Sequence, residues 1–254
     1  MNFRWPWTGK VAARRERLTL NLDDTLTYAV GDVHGCHELL LELEARIEAD
    51  AALFPGRKLI IMLGDYVDRG PASSGVLDHL LRPPPEGFER ICLAGNHEIA
   101  MLDYHDGRIG LGEWAPLGGD TTLRSYGQDP DYIGKAFGSA RKAGDHMRKS
   151  ISADHVEFLR ELPVLVETPD FLFVHAGIRP GVSLQDQTDD DLTKIRSDFL
   201  HHPHGLRQWV VHGHTPVPSV MPEDRRINVD TGAFYSGCLS AVRIWRRRGH
   251  VIST

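Results

Sequence analysis

Clusters of aspartate, histidine and asparagine recur along this chain, and these side chains are good ligands for divalent metal ions. The clusters are Gly31-Asp-Val-His-Gly35, Gly64-Asp-Tyr-Val-Asp-Arg-Gly70, Gly95-Asn-His-Glu98, His175-Ala-Gly177 and His212-Gly-His-Thr-Pro216. Carboxylate, imidazole and amide oxygen suit ions such as Mn²⁺, Fe²⁺ and Zn²⁺, whereas a structural zinc site would favour several cysteines. One catalytic metal ion with open coordination positions would not bind this many ligands. A pair of ions that share one carboxylate could bind all of them.

A pair of divalent ions indicates hydrolytic chemistry on phosphate. Ions about 3.5–4 Å apart can hold a phosphate group and lower the pKa of the attacking water. Phosphate monoesters are among the slowest compounds to hydrolyse without a catalyst, so such a centre is needed for them. The sequence therefore predicts a phosphatase that uses direct attack by a metal-bound hydroxide.

Short apolar runs precede the clusters and predict the strands that position them. The runs are 27–30, 58–63, 90–94, 171–174, 209–211 and 226–229. Continuous apolar runs are typical of strands that are buried on both faces. Apolar residues with helical spacing at 39–47 and 76–81 alternate with the early strands, which predicts an α/β fold with a largely parallel sheet. Ligands of such folds bind at the carboxyl ends of strands, where every cluster stands.

Two segments fall outside this alternation. Residues 1–24 are predicted to be an N-terminal extension, in which Leu18, Leu20 and Leu22 alternate with polar residues and indicate a short edge strand. Within it, Arg14-Arg-Glu-Arg17 is expected to be an exposed tail. Residues 25–254 are predicted to be a single domain, with an insertion of loops and short helices at about 103–150.

The amino-acid composition argues against some binding partners and indicates a cellular location. A chain of 254 residues with 41% hydrophobic and 25% charged residues can form a core without disulfides. A net charge of −6 argues against nucleic acid, and neither a basic stripe nor a long apolar run indicates a membrane. Three cysteines without a pairing pattern indicate free thiols, so a cytoplasmic location is expected. The oligomeric state stays open.

Three of the clusters carry a family resemblance. Gly31-Asp-x-His-Gly35, Gly64-Asp-x-x-Asp-Arg-Gly70 and Gly95-Asn-His-Glu98 resemble the signature motifs of the PPP family of phosphoprotein phosphatases, within the calcineurin-like metallophosphoesterases. The similarity extends to the later histidine clusters and covers most of residues 25–240. It implies a four-layer α/β/β/α sandwich of two β-sheets flanked by helices. The segment Gly118-Gly-Asp-x-Thr122-Leu-x-Ser-Tyr126-Gly127 resembles bacterial members.

The resemblance implies a metal set. Two divalent ions are expected, with Mn²⁺ the first choice in vitro and Fe or Zn as alternatives. The implied ligands are Asp32 and His34 for the first ion, Asp65 as the bridge, and Asn96, His175 and His214 for the second.

The resemblance also implies groups that handle phosphate and protons. His97 would donate a proton to the leaving oxygen, and Asp68 would hold its other nitrogen. The residues expected to contact phosphate on this basis are Arg69, Asn96 and Arg196. Arg179 departs from the family pattern, since eukaryotic members have a smaller residue there, and it could add a further phosphate contact or face solvent. In the insertion, Trp114 and Tyr126 could line the substrate cleft or pack the core.

The implied activity is that of a phosphoserine or phosphothreonine phosphatase acting on a phosphoprotein or phosphopeptide. An alternative is a dinucleoside polyphosphate hydrolase of the diadenosine tetraphosphatase type. Bacterial members of that group lack the acid of Asp-Arg-Gly and carry Gly-Asn-His-Asp, so Asp68 and Glu98 favour the protein phosphatases. A catalytically silent scaffold is disfavoured because no ligand is missing, and a metal nuclease because the chain is acidic.

Overall fold

Two β-sheets pack face to face in the computed structural model, which describes residues 14–254. In this range the first sheet contains β1 (Arg17–Thr19), β5 (Leu165–Glu167), β6 (Phe171–Val174), β7 (Trp209–His212), β8 (Pro222–Glu223) and β9 (Arg226–Asn228). The second contains β2 (Thr25–Val30), β3 (Arg57–Met62), β4 (Phe88–Cys92), β10 (Ser240–Trp245) and β11 (Arg248–Ser253). The strand orders are β1-β5-β6-β7-β9-β8 and β11-β10-β2-β3-β4.

Both sheets are mixed, although a largely parallel sheet was expected. β2, β3 and β4 are parallel neighbours, and so are β6, β7 and β9. The antiparallel pairs come mainly from hairpins, such as β10 with β11 and β5 with β6, which need no crossover helix. The parallel strands at the centre of each sheet still place their carboxyl ends at one edge of the sandwich.

Successive side chains of a central strand point to opposite faces of the sheet, and both faces are buried, which explains the continuous apolar sequences. Leu59 and Ile61 join a cluster with Phe173 and Val211, so this face of β3 packs on the first sheet. The residues between them, including Ile60, belong to the larger cluster that contains the helix side chains. Both faces of β3 are therefore buried, as its sequence predicted, and the two sheets form the inner layers of an α/β/β/α sandwich.

Helices cover the outer faces and fill the connections. Within residues 14–254 they are α1 (His37–Ala51), α2 (Ser73–Leu81), α3 (Asn96–His105), α4 (Leu111–Trp114), α5 (Gly119–Ser125), α6 (Pro130–Phe137), α7 (Ala140–Arg148), α8 (Ala153–Glu161), α9 (Asp189–Lys194), α10 (Ser197–His201) and α11 (Ala233–Ser236), with a 3₁₀ turn at Ala115–Leu117. The predicted apolar faces of α1 and α2 are buried, except that Leu39 is partly buried and Leu81 is exposed. None of the helices in the described range is long and apolar enough to cross a membrane.

The start of the described chain is bound to the domain. β1 extends the edge of the first sheet by pairing parallel with β5, as the alternating leucines predicted. Arg15 donates to the carbonyl oxygens of Leu159 and Leu162, and Arg17 donates to that of Gln187. The expectation of an exposed tail was therefore wrong for these residues, because the two guanidiniums satisfy backbone carbonyl groups. Residues 1–13 of the predicted extension lie outside the described residues.

Candidate functional site

The predicted metal ligands meet at the carboxyl edge of the sandwich. They follow strands of both sheets: Asp32 and His34 follow β2, Asp65 follows β3, Asn96 follows β4, His175 follows β6 and His214 follows β7. The backbone φ angles of His34, Asp65 and His214 are 44°, 55° and 68°. Residues other than glycine rarely adopt this left-handed conformation. Such backbone strain clusters at functional sites, because the surrounding fold must stabilise it.

Asp65 is shared by two groups of possible metal ligands. One group contains His34, Asp65 and His97, the other contains Asp65, His175 and His214, and the ligand atoms within each group lie within 4.8 Å of one another. Asp65 Oδ2 lies 3.5 Å from His34 Nε2, and Asp65 Oδ1 lies 3.3 Å from His175 Nε2. Two adjacent sites around one carboxylate are the arrangement that a dinuclear centre requires.

Backbone carbonyls orient two of the histidines. Nδ1 of His34 lies 2.9 Å from the carbonyl oxygen of Val67, and Nδ1 of His175 lies 3.0 Å from that of Leu63. A proton on Nδ1 would be donated to the carbonyl, which leaves Nε2 free to bind a metal. Burial lowers the pKa of His34 and of His214 to about 3 each, so both imidazoles are neutral, as metal ligands must be.

Asp32 shows that the cluster fits a cation. Its Oδ2 accepts a hydrogen bond from the backbone N–H of His214 at 3.0 Å, but its buried Oδ1 has no hydrogen-bond partner among the described residues. Burial, followed by the charges of Asp230 and Asp65, raises the pKa of Asp32 well above its ordinary value. A buried carboxylate of this kind is costly unless a positive ion compensates it.

Gly213 allows the close approach at Asp32. A Cβ at Gly213 would lie 2.0 Å from Asp32 Oδ1 and 3.6 Å from Asp230 Cβ. Asp230 is thus a buried carboxylate beside the predicted set. The sequence marked it as the first residue after an apolar run but assigned it no role.

Asn96 begins α3 at the second group. Its Oδ1 lies 3.2 Å from His175 Nε2, and His175 Nε2 lies 3.2 Å from His214 Nδ1. The other histidine of the same motif, His212, is buried against Phe199, with ring centroids 5.0 Å apart. These contacts bring the second of the two motif histidines to the cluster, in agreement with the sequence-based choice of His214.

His97 and Asp68 form a buried pair beside the cluster. Nδ1 of His97 lies 2.7 Å from Asp68 Oδ2. Burial opposes protonation of His97, but Asp65 and Asp68 outweigh it and raise its pKa. Its Nε2 lies 3.7 Å from Asp65 Oδ2 and 3.3 Å from Nη2 of Arg69. A guanidinium N–H at that distance competes with a metal ion for the lone pair of Nε2, which argues against a ligand role for His97.

Two predicted arginines lie at the cluster and the third is engaged elsewhere. The guanidinium of Arg69 stacks 4.9 Å from the centre of the Phe234 ring, and Arg196 Nε donates to His214 Nε2 at 3.0 Å. Arg179 Nε donates instead to Asp191 at 2.8 Å, and its side chain is half exposed. Its phosphate-binding role stays a prediction, and the other part of the expectation, that it could face solvent, matches its exposure.

Sequence reasoning underestimated several side chains around these groups. Trp114 is fully buried and its Nε1 donates to Asp68 Oδ2 at 3.0 Å, so of its two expected placements it takes the core one. Thr122 also donates to Asp68, at 2.8 Å. Phe234 packs against His34, with ring centroids 5.5 Å apart. The glycines and aromatic residues of these segments were visible in the sequence, but their contacts to the motif residues were not.

Glu98 supports the backbone beside the site. It is fully buried, and its carboxylate accepts hydrogen bonds from the backbone N–H groups of Gly95 at 2.8 Å, Asp65 at 2.8 Å and Tyr66 at 2.7 Å. The bond from Gly95 closes the N-terminus of α3, and the bonds from Asp65 and Tyr66 hold the backbone that follows β3. The side chain is used in backbone support, so its identity is a weak guide to the substrate.

Comparison with known proteins places the chain in a family. The calcineurin-like phosphoesterase family matches residues 26–240. The chain is 26% identical to an asymmetrical bis(5'-nucleosyl)-tetraphosphatase PrpE of Halalkalibacterium halodurans, over 84% of this chain and 88% of the relative. The PrpE of Oceanobacillus iheyensis is 25% identical, over 84% of this chain and 86% of that protein.

Solved structures share the fold. One, provisionally assigned as a diadenosine tetraphosphatase, aligns with a TM-score of 0.64 and 23% identity, covering 94% of this chain and 97% of the other. A cold-active protein-tyrosine phosphatase of a Shewanella species aligns with a TM-score of 0.59 and 19% identity, covering 94% and 80%. With the family match over most of the chain, the protein belongs to the calcineurin-like phosphoesterase family.

Proposed function

We propose that this chain is a dinuclear metallohydrolase that cleaves the phosphate chain of dinucleoside polyphosphates such as diadenosine tetraphosphate. The names of the relatives that match most of its length support this substrate over a phosphoprotein. From the sequence alone the two substrates rank in the opposite order, partly because of Glu98. Glu98 accepts hydrogen bonds from the backbone, so it does not discriminate between the two substrates.

One observation at the site favours a nucleotide. Phe234 and Tyr235 are 38% and 63% exposed on the short helix α11, with ring centroids 5.0 Å apart. Phe234 contacts both His34 and Arg69. Exposed aromatic rings beside a phosphate site can stack on a base, and each stacked base contributes about 1–3 kcal/mol in nucleic-acid binding.

The proposed metal ligands are the six residues predicted from the sequence. Asp32 and His34 would hold one ion, Asn96, His175 and His214 would hold the other, and Asp65 would be shared between them. When bound, the two ions lower the pKa of a water molecule and neutralise phosphate charge.

The protein's own groups complete the reaction. Arg69 and Arg196 flank the two ligand groups and bind phosphate oxygens, since a planar guanidinium matches two oxygens at once. Water supplies the hydroxyl that bonds to phosphorus while the bond to the leaving oxygen breaks. Nε2 of His97 gives its proton to that oxygen, and Asp68 keeps the imidazole oriented and charged.

The test compares initial rates on diadenosine tetraphosphate and on a phosphoserine peptide, with Mn²⁺ present. The proposal expects clear preference for the dinucleotide. The products locate the cleaved bond, because asymmetric cleavage gives a mono- and a triphosphate and symmetric cleavage gives two diphosphates. Faster turnover of the peptide would overturn the proposed substrate.

A phosphoprotein phosphatase is the second candidate, and the pair of His97 and Asp68 is what favours it. A serine alkoxide is a much poorer leaving group than a nucleotide, so it needs a general acid more. The rate on the phosphoserine peptide in the same assay measures the phosphoprotein phosphatase activity of the site.

A further inference from the structure

Asp68 is held by side chains that come from the insertion. Its carboxylate, fully buried, accepts hydrogen bonds from His97, from Nε1 of Trp114 at 3.0 Å and from Oγ1 of Thr122 at 2.8 Å. We propose that the segment 114–122 positions the catalytic pair by fixing Asp68, which in turn fixes the His97 imidazole. This inference rests on the general-acid role proposed for His97.

The same segment supports the backbone of the motif. Asp68 and Arg69 have φ values of 70° and 68°, an unfavourable conformation for both residues. The N–H of Asp68 donates to Thr122 Oγ1 at 2.8 Å, so one hydroxyl binds both the backbone and the carboxylate of Asp68. The carbonyl of Gly118 accepts from the N–H of Arg69 at 3.4 Å. A Cβ at Gly118 would lie 2.3 Å from the Arg69 nitrogen, so only glycine permits this approach.

Trp114 is itself held in place. It stacks on Tyr104 with ring centroids 4.7 Å apart, and a Cβ at Gly119 would lie 2.2 Å from its indole. The indole is fully buried, so it offers no surface to a substrate, and its N–H needs an acceptor inside the protein. Asp68 is that acceptor. The consecutive glycines of the Gly118-Gly119 motif thus serve one purpose each: contact with Arg69 and contact with Trp114.

Loss of these donors should act through His97. A carboxylate with fewer fixed partners can rotate away from Nδ1, and an imidazole that is less well aimed protonates the leaving oxygen less effectively. The cost should grow with the basicity of the leaving group. A purely structural role would lower the rate on all substrates by the same factor.

The experiment uses full-length enzyme with Mn²⁺ and compares phenyl phosphate with 4-nitrophenyl phosphate, whose leaving group is less basic. Thr122→Val and Trp114→Phe should each lower kcat on phenyl phosphate by about tenfold, the loss expected for one hydrogen bond to a charged group. The rate on 4-nitrophenyl phosphate should fall much less. Thr122→Ser keeps the hydroxyl and should restore the rate on phenyl phosphate. His97→Asn provides the full effect for reference.

Tyr104→Phe is the matched control, because the Tyr104 hydroxyl is buried without a partner among the described residues and the ring stack survives the change. It should leave the ratio of the two rates unchanged. A second measurement needs no turnover: the downfield proton resonance of His97 Nδ1–H, assigned by its loss in His97→Asn. Thr122→Val and Trp114→Phe should shift or broaden it, and Tyr104→Phe should not.

The outcomes distinguish the positioning role of the segment 114–122 from the general-acid role of His97. Uniform losses on both esters, or an undisturbed resonance in Thr122→Val and Trp114→Phe, would overturn the positioning role while leaving His97 as the acid. A His97→Asn enzyme with an unchanged ratio of rates would overturn the acid role itself, and with it this inference.

Discussion

One oxygen of Asp65 lies 3.3 Å from Nε2 of His175, which follows a strand of the opposite sheet. The other oxygen faces His34, which follows β2, a neighbour of β3 in the sheet that Asp65 follows. The carboxylate therefore spans the junction between the two sheets. The group of Asp65, His175 and His214 can form only when the sheets are packed together, so metal binding there should also stabilise the folded sandwich.

Arg69→Ala should separate phosphate binding from metal binding. The guanidinium lies at Nε2 of His97 and over Phe234 and is not among the proposed ligands. Its loss should lower kcat by about 10²-fold, as expected for removal of a group that stabilises transition-state charge, with Mn²⁺ content unchanged. Inhibition by inorganic phosphate should weaken in parallel. Arg57→Ala, at the start of β3 where the side chain pairs with Glu89, is the control. Undiminished phosphate inhibition in Arg69→Ala would argue against a direct contact.

His97 and Asp68 should behave as one unit. On a substrate with a basic leaving group, His97→Asn should lose about 10²–10⁴ in rate, the usual contribution of a general acid. Asp68→Asn should lose less, and the double variant should be little slower than His97→Asn alone, because effects within a catalytic unit are not additive. Independent, multiplying losses in the double variant would mean that Asp68 does not act through His97.

Tyr235 should contribute to binding of the nucleotide base and not to binding of the phosphate chain. Tyr235→Leu removes an exposed ring beside Phe234 and should raise KM for diadenosine tetraphosphate by about tenfold, which corresponds to the loss of one stacked base. The inhibition constant of inorganic tripolyphosphate should stay the same. Tyr132→Leu, which removes a ring that is 71% exposed on α6, is the matched control. Equal weakening of the dinucleotide and of tripolyphosphate would show that the ring acts on the phosphate site.

Glu98 should affect stability more than substrate choice. Glu98→Asp withdraws the carboxylate from three buried N–H groups and should lower the free energy of unfolding by about 1–3 kcal/mol in metal-free protein. Glu113→Asp, at the exposed N-terminus of α4 where the carboxylate accepts from the N–H of Gly110, should cost much less. The ratio of rates on diadenosine tetraphosphate and phosphoserine peptide should be unchanged in both. A shift of that ratio towards the dinucleotide in Glu98→Asp would restore Glu98 as a marker of substrate class.

Much of the fold could be predicted because its central strands are buried on both faces. Continuous apolar runs such as 58–63 and the glycine before Asp65 identify strand ends directly in the sequence. The mixed direction of the sheets could not be predicted in this way. β10 and β11 carry no ligand motif, and an apolar run does not reveal whether its neighbour runs parallel or antiparallel.

The candidate ligands could be proposed from the sequence because each lies in a motif that follows an apolar run. The hydrogen bonds that hold Asp68 could not be predicted from the sequence. Trp114 and Thr122 reach Asp68 across 46 and 54 residues, and such long-range hydrogen bonds leave no periodic signal. The partner of Arg179 could not be predicted either: its guanidinium pairs with Asp191, which lies 12 residues further along the chain.

The bridging role of Asp65 can be measured directly through metal content and turnover together. Enzyme reconstituted with Mn²⁺ should hold two ions per chain and hydrolyse diadenosine tetraphosphate. Asp65→Asn should lose metal and activity together, because one change weakens both sites. Asp190→Asn, an exposed carboxylate paired with Lys194, should keep both properties. An Asp65→Asn enzyme that retains two ions and near-normal turnover would contradict the dinuclear centre proposed here.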